Sequence, residues 1–188
     1  MSALPSSSLL SAGQPAHGSA PPVLAHARVA AVWRDRLNLL LESTGEGVFG
    51  VDMDGLCTFI NRAGAEMLGY DPQYVLGLNM HDLIHHTHGD GQHYPVSSCP
   101  IFNAFRAGVP CRIDSEVLWR RDGSAFPAEY SSYPILDEGM VHGAVVTFVD
   151  ITERKRQADL LRTAHDQLEV RVAERTQALS QALGQLRE

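Results

Sequence analysis

Cysteine is scarce, with three in 188 residues. Cys57, Cys99 and Cys111 are too few and too odd for a disulfide framework, so a reducing, cytoplasmic setting is expected. Basic blocks are missing and the net charge is −7. A phosphate-driven surface is therefore excluded, and no nucleic-acid partner is expected. Apolar runs stay well short of the ~18 residues of a membrane span, so no membrane insertion is expected. The opening MSALPSSSLLSAGQPAHG has neither a basic n-region nor an apolar core, which argues against a signal peptide. There is no P-loop, no G-x-S-x-G elbow and no H-E-x-x-H helix. What remains is a composition, 44% hydrophobic and 20% charged, that fits a soluble globular chain.

Histidine is the residue in surplus. Five of the nine lie in HDLIHHTHGDGQHYP, residues 81–95. The organisation around that stretch decides what they can do. Residues 1–25, rich in Ser, Ala, Pro and Gly, bury too little apolar surface to offset ordering entropy and read as a disordered tail. Over 26–42, Val29, Val32, Trp33, Leu37, Leu40 and Leu41 form one apolar face of an amphipathic helix. GVFGV and LCTFI, joined through Asp54-Gly55, read as a hairpin. NRAGAEMLGY reads as a short helix with Asn61 as N-cap and Gly69 as its stop, and Pro72 opens another turn. Residues 77–95 read mainly as loop. A helix over 97–107 follows, capped by Ser97 or Ser98. Residues 111–120, 124–135 and 140–149 read as a three-stranded meander in which Pro127 and Pro134 need bulge or edge positions. The sum is an α+β domain over 43–152, with an antiparallel sheet and helices on one face.

Residues 153–188 differ in character. Asp150 and Glu153 fit a capping box. Ala158, Leu161, His165, Leu168, Val172, Arg175, Leu179, Ala182 and Leu186 then fall at successive a and d positions of a heptad frame. Such a seam buries nothing alone, so a homodimeric coiled coil is expected. Its heptads run to the last residue and read as part of a longer helix.

The order of these elements, with LLESTGEGVFGVDMDGLCTFINRAGAEMLGY (40–70), RRDGSAFPAEYSSYPI (120–135) and GAVVTFVDITERK (143–155), resembles the PAS sensory domain. The tail HDQLEVRVAERTQAL resembles signalling helices that join such domains to histidine kinase or diguanylate cyclase modules. The resemblance implies a PAS fold with five antiparallel strands, a ligand or cofactor pocket, and a coupled output module outside this chain. It makes Asp150, Ile151 and Thr152, at the strand-to-helix junction, the expected signal relay. His165-Asp166 lacks the rest of a kinase phosphoacceptor motif, so a regulatory domain without catalysis is expected.

Pocket candidates are His85, His86, His88, His93 and Cys99, with Phe102, Phe105 and Trp119 beside them. Imidazole and thiolate suit zinc or iron, so the same five polar residues are the metal candidates. Their spacing matches no recognised zinc pattern. Haem stays open, although PAS proteins commonly take an axial His from the helix at 97–107 and this one has none. SSCPIF around Cys99 departs from the flavin photosensor stretch, so no light-driven adduct is expected. The cofactor is thus unassigned. A structural loop, a metal or haem site, and a pH or redox sensor all remain readings of the stretch. Cys99 and Cys111 form a thiol switch only if they converge.

Overall fold

In a computed structural model of the protein, residues 22–185 are described. They divide after Leu40 into two compact units. The first holds most of α1 (Pro22–Glu42), which begins inside the segment read as tail. On it, Val32, Trp33 and Leu37 are exposed. Residues 1–21 of the expected tail and Leu186 of the heptad frame lie outside the described residues.

The second unit is one antiparallel sheet with helices on one side. In chain order it comprises β1 (Gly47–Val51), β2 (Cys57–Ile60), α2 (Arg62–Leu68), α3 (Pro72–Val75), α4 (Met80–Ile84), α5 (Pro100–Arg106), β3 (Cys111–Trp119), β4 (Ala125–Asp137), β5 (Met140–Asp150) and α6 (Thr152–Gln185). The spatial order of strands is β2-β1-β5-β4-β3. The hairpin therefore docks against the last strand of the meander, and β3 forms the far edge. Both prolines sit where β4 is paired on one side only: Pro127 precedes the first β5 partner and Pro134 lies past the last β3 partner.

Period-two alternation sorts the sheet faces. Phe126, Ala128, Tyr130 and Ser132 of β4 point inward, as do Ala144, Val146 and Phe148 of β5. They meet Leu68, Val75, Ile84, Phe102 and Phe105 from the helices in a continuous core. Gly143 has φ +144°, and a Cβ there would lie 2.0 Å from the Val51 carbonyl oxygen. Only glycine lets β5 approach β1 this closely.

Three local expectations are corrected. Residues 80–84 are helical, because Asn79 caps α4 by accepting from His81 N at 3.0 Å and Asp82 N at 3.3 Å. The cap of α5 is Cys99, not Ser97 or Ser98, which belong to a 3₁₀ turn over Val96–Ser98. Pro100 at the first helical position forces the preceding residue into extended backbone, and the Cys99 thiol makes no capping bond. The capping box at α6 is half present. Asp150 Oδ1 accepts from Thr152 N at 2.8 Å, but Glu153 accepts from Gln157 Nε2 at 2.9 Å instead of reaching back.

Asn61 does more than cap α2. Its Oδ1 accepts from Val48 N at 2.8 Å and Gly64 N at 2.9 Å, and its Nδ2 donates to the carbonyls of Leu41 and Glu46, each at 2.9 Å. The side chain is buried, so these groups have no water to fall back on. Asn61→Ala is expected to cost about 3 kcal/mol, since two buried amides lose their acceptor. Urea unfolding checks this, and a loss under about 1 kcal/mol would assign the side chain only a surface cap's role.

Candidate functional site

The His-rich stretch folds into two pieces. Its first residues lie on α4, where His85 N donates to His81 O at 2.9 Å, which sets the two rings one turn apart on the same face. The rest closes as a small hairpin: Thr87 bridges His93, and Tyr94 N donates to His86 O at 2.8 Å. The hairpin returns Tyr94 to α4, and its carbonyl accepts from His81 Nε2 at 2.8 Å.

His81, His85 and Cys99, all buried, come together beneath the sheet. One ring nitrogen of each histidine and Cys99 Sγ lie within 4.8 Å of one another. His85 Nδ1 is 3.3 Å from Cys99 Sγ. His85 Nε2 donates to Glu116 Oε2 of β3 at 2.9 Å. Glu116 also accepts from the Tyr94 hydroxyl at 2.7 Å and from the Tyr130 hydroxyl of β4. One carboxylate thus ties α4, the His-rich hairpin and two strands together. Glu116 sits next to the irregular register between Ile113 and Glu116 that turns it toward the site.

The charges follow from these contacts. Burial alone would push the Cys99 thiol up, but the facing imidazoles of His81 and His85 and the charge on His85 outweigh it and hold the thiol at about 6. Burial disfavours a charged His85, yet Cys99 and Glu116 overcome it and raise the ring to about 9. Burial also opposes ionisation of Glu116, which its three donors nonetheless hold at about 2. Burial and the neighbouring carboxylate push the Tyr94 and Tyr130 hydroxyls up, so both stay protonated donors. In the metal-free protein the cluster is a thiolate beside an imidazolium beside a carboxylate.

The remaining candidates divide. His86 does not converge on the cluster: its Nδ1 pairs with Thr87 Oγ1 at 2.6 Å and its ring stacks on Trp119. His88 stacks on Tyr94 with ring centroids 3.8 Å apart. His93 closes the hairpin through its backbone. Phe102 lines the cavity beside Cys99, whereas Phe105 is a core residue. Trp119 donates to the Thr87 carbonyl at 2.7 Å and clamps the loop. Cys57 and Cys111 are free, and Cys111 Sγ points to the Pro100 carbonyl. Among the described residues the other group of adjacent donors, His165, Asp166 and Glu169, is exposed on α6. His81, Glu116, Tyr94 and Tyr130 complete the site without being singled out by the sequence. The four-residue spacing of His81 and His85 is the one signal that was available, once 80–84 is read as helix.

Two cavities flank the cluster. One of about 20 Å³ is lined by Phe49, Met80, His81, His85, Cys99 and Phe102. Another of about 100 Å³ is lined by His85, His88, Tyr94 and Glu116. Both suit an ion or a ligand of few atoms.

A five-stranded antiparallel sheet cupping short helices over a buried polar cluster, with a long helix leaving its last strand, defines an α+β domain with an enclosed polar site. A family model described as the PAS fold matches residues 35–151, and the chain belongs to the PAS family. Over 138 residues it is 30% identical to "Probable diguanylate cyclase DgcE" of Escherichia coli K12, covering 72% of this chain but 12% of that one, so it spans a small part of that relative's length. A PAS domain of an HTR-like protein from Haloarcula marismortui superimposes with a TM-score of 0.51 at 20% identity, covering 68% of this chain and 99% of that one. An RNA-binding light-oxygen-voltage receptor gives 0.53 at 21%, covering 84% and 42%. The chain is therefore a signal-sensing PAS domain, and no helix among its described residues is long and apolar enough to cross a membrane.

Ultraviolet thiolate titration of the chelator-treated protein is expected to show one thiol ionising near pH 6, with burial keeping Cys57 up at about 11 and Cys111 above its usual value. Cys99→Ser should remove that step. Glu116→Gln should move it upward, because losing the carboxylate lowers the His85 pKa and so the positive charge facing the thiolate. An unmoved step in Glu116→Gln would contradict the coupling.

Proposed function

We propose that this PAS domain is the input half of a dimeric signalling protein, in which the state of the His85–Cys99–Glu116 cluster is passed through β4 and Asp150 to a coiled coil formed by α6. The observation that carries this reading is the double attachment of Asp150. While Oδ1 caps α6, Oδ2 accepts from Arg120 Nη2 at 2.6 Å. Arg120 in turn donates through Nε to the Met67 carbonyl at the end of α2 at 3.0 Å, and its guanidinium lies 4.2 Å from the centre of the Phe126 ring. A displacement of the sheet against the helices therefore acts on the first turn of α6. Ile151 and Thr152 continue the junction: Ile151 is buried, and its N–H donates to the Pro127 carbonyl at 2.9 Å.

Neighbouring residues of β4 supply a second link. Tyr130 faces inward and donates to Glu116, while Glu129 faces outward and pairs with Arg154 of α6 at 2.6 Å. Successive residues of a strand point to opposite faces, so a shift that moves one moves the other. Arg154 is well exposed, and this pair serves as a geometric tether more than a source of stability.

Support for the dimer comes from α6, where Leu161, Leu168, Val172 and Leu179 of the heptad seam are all exposed. Aligned apolar side chains at a and d positions are buried by a second copy. The cyclase relative favours a diguanylate cyclase as the output module, with a histidine kinase the other candidate; a cytoplasmic location accords with the three free thiols.

Light scattering is expected to give a dimer, and removal of residues 155–188 to weaken it; a strict monomer at high concentration would refute the coiled coil. In a fusion to a reporter diguanylate cyclase, Glu116→Gln should shift basal output at least about fivefold, the lower range of allosteric coupling. In an Asp150→Ala background the same change should have little effect. An equal shift in both backgrounds would remove Asp150 from the relay.

A further inference from the structure

His81 and His85 are held in the same tautomer by different acceptors. The Tyr94 carbonyl can only accept, so the His81 nitrogen bonded to it, Nε2, carries the hydrogen. The Glu116 carboxylate does the same for His85 Nε2. Apart from the one proton shared between Cys99 Sγ and His85 Nδ1, each ring is left with a lone pair on Nδ1. That of His85 faces Cys99 Sγ at 3.3 Å. That of His81 is buried and has no hydrogen-bond partner, although the ring is only 5% exposed. An unpartnered buried acceptor costs free energy and calls for a cation. The thiol proton can serve one nitrogen, but two imidazoles converge on one sulfur. A single metal ion serves all three.

The donor set defines the ion. Two imidazole nitrogens and a thiolate match a borderline-soft first-row transition metal, zinc above all, and disfavour magnesium or calcium, which require oxygen. With Zn–N near 2.05 Å and Zn–S near 2.3 Å, the His85–Cys99 edge corresponds to an angle of about 99°, close to tetrahedral. Since one ring nitrogen of each histidine and Cys99 Sγ lie within 4.8 Å, no edge needs to close by more than about 1.5 Å to reach tetrahedral separations. Outer partners are present as well. Ligating histidines characteristically donate their other N–H to a carboxylate or a backbone carbonyl, and Glu116 and Tyr94 supply one of each. On the inner side the cavity of about 20 Å³ leaves room for roughly one water-sized group.

We propose that His81 Nδ1, His85 Nδ1 and the Cys99 thiolate bind one zinc-class metal ion whose fourth position opens on this cavity. Three protein ligands and one open position characterise a site that exchanges a small ligand, as opposed to a closed structural site. The proposal deepens the input role by naming what the cluster senses: the metal itself or a water-sized group bound to it. It rests on that role only for its use, because binding is measured without any output module.

The test adds cobalt(II) chloride to the full chain after chelator treatment. One equivalent should produce intense tetrahedral ligand-field bands and a sulfur-to-cobalt charge-transfer band, both abolished by an equivalent of zinc. Cys99→Ser should lose the charge-transfer band, Cys57→Ser should keep it, and His81→Gln should weaken binding at least about tenfold, the minimum expected even for an outer-shell partner. X-ray absorption of the zinc-loaded wild type removes dependence on variants that fold poorly, and should show one sulfur and two imidazole nitrogens per zinc. Absence of stoichiometric binding, a charge-transfer band that survives in folded Cys99→Ser, or a zinc shell without sulfur would overturn the assignment. Such a result would leave the relay through Asp150 standing, to be judged by its own fusion experiment.

Discussion

Glu116 is the carboxylate on which the site depends. It takes donors from His85 on α4, from Tyr94 at the end of the His-rich hairpin and from Tyr130 on β4. Without it, two tyrosine hydroxyls and an imidazole N–H would lose their acceptor in partly buried surroundings, and the cost would be high. With it, the orientation of His85 is fixed, and His85 fixes the side of the ring that meets Cys99. Helix, loop and sheet are thereby joined at one group, through which the proposed relay carries chemistry at Cys99 to the strands.

The route from there to α6 is short because strand geometry supplies it. Tyr130 and Glu129 are consecutive, and they face the site and the helix respectively. Arg120 adds a parallel route from the end of α2 to Asp150. The two routes meet at the first turn of α6, where, in the relay proposed above, a small displacement becomes a change in the direction of a long helix. In the proposed dimer, the exposed heptad residues further along are what that change acts on.

Much of the fold was legible in the sequence, because it is written locally. Asp54-Gly55 marks the hairpin, Asn61 and Gly69 bracket α2, and the β4 alternation declares which face is buried. The site was legible only in part. His85 and Cys99 stood out by residue type, but nothing local separates them from His86, His88 and His93, which stack on aromatics or close a turn. His81 was hidden by reading residues 77–95 as loop, although Asn79 was there to cap a helix. Glu116 and Tyr130 come from strands more than thirty and forty residues past His85, and their role exists only once the meander has folded over α4. The Cys99 geometry was masked by Ser97 and Ser98, which offer a more familiar cap than the residue that Pro100 imposes.

The central claim is that the buried cluster and the root of α6 move as one mechanical unit. Hydrogen exchange followed by mass spectrometry, comparing wild type with Glu116→Gln, tests it most directly. The claim predicts faster exchange in residues 80–99 and, with it, in the 150–156 segment that starts α6, while β2 and α3 stay unchanged. A change confined to residues 80–99, with 150–156 exchanging as in wild type, would contradict it.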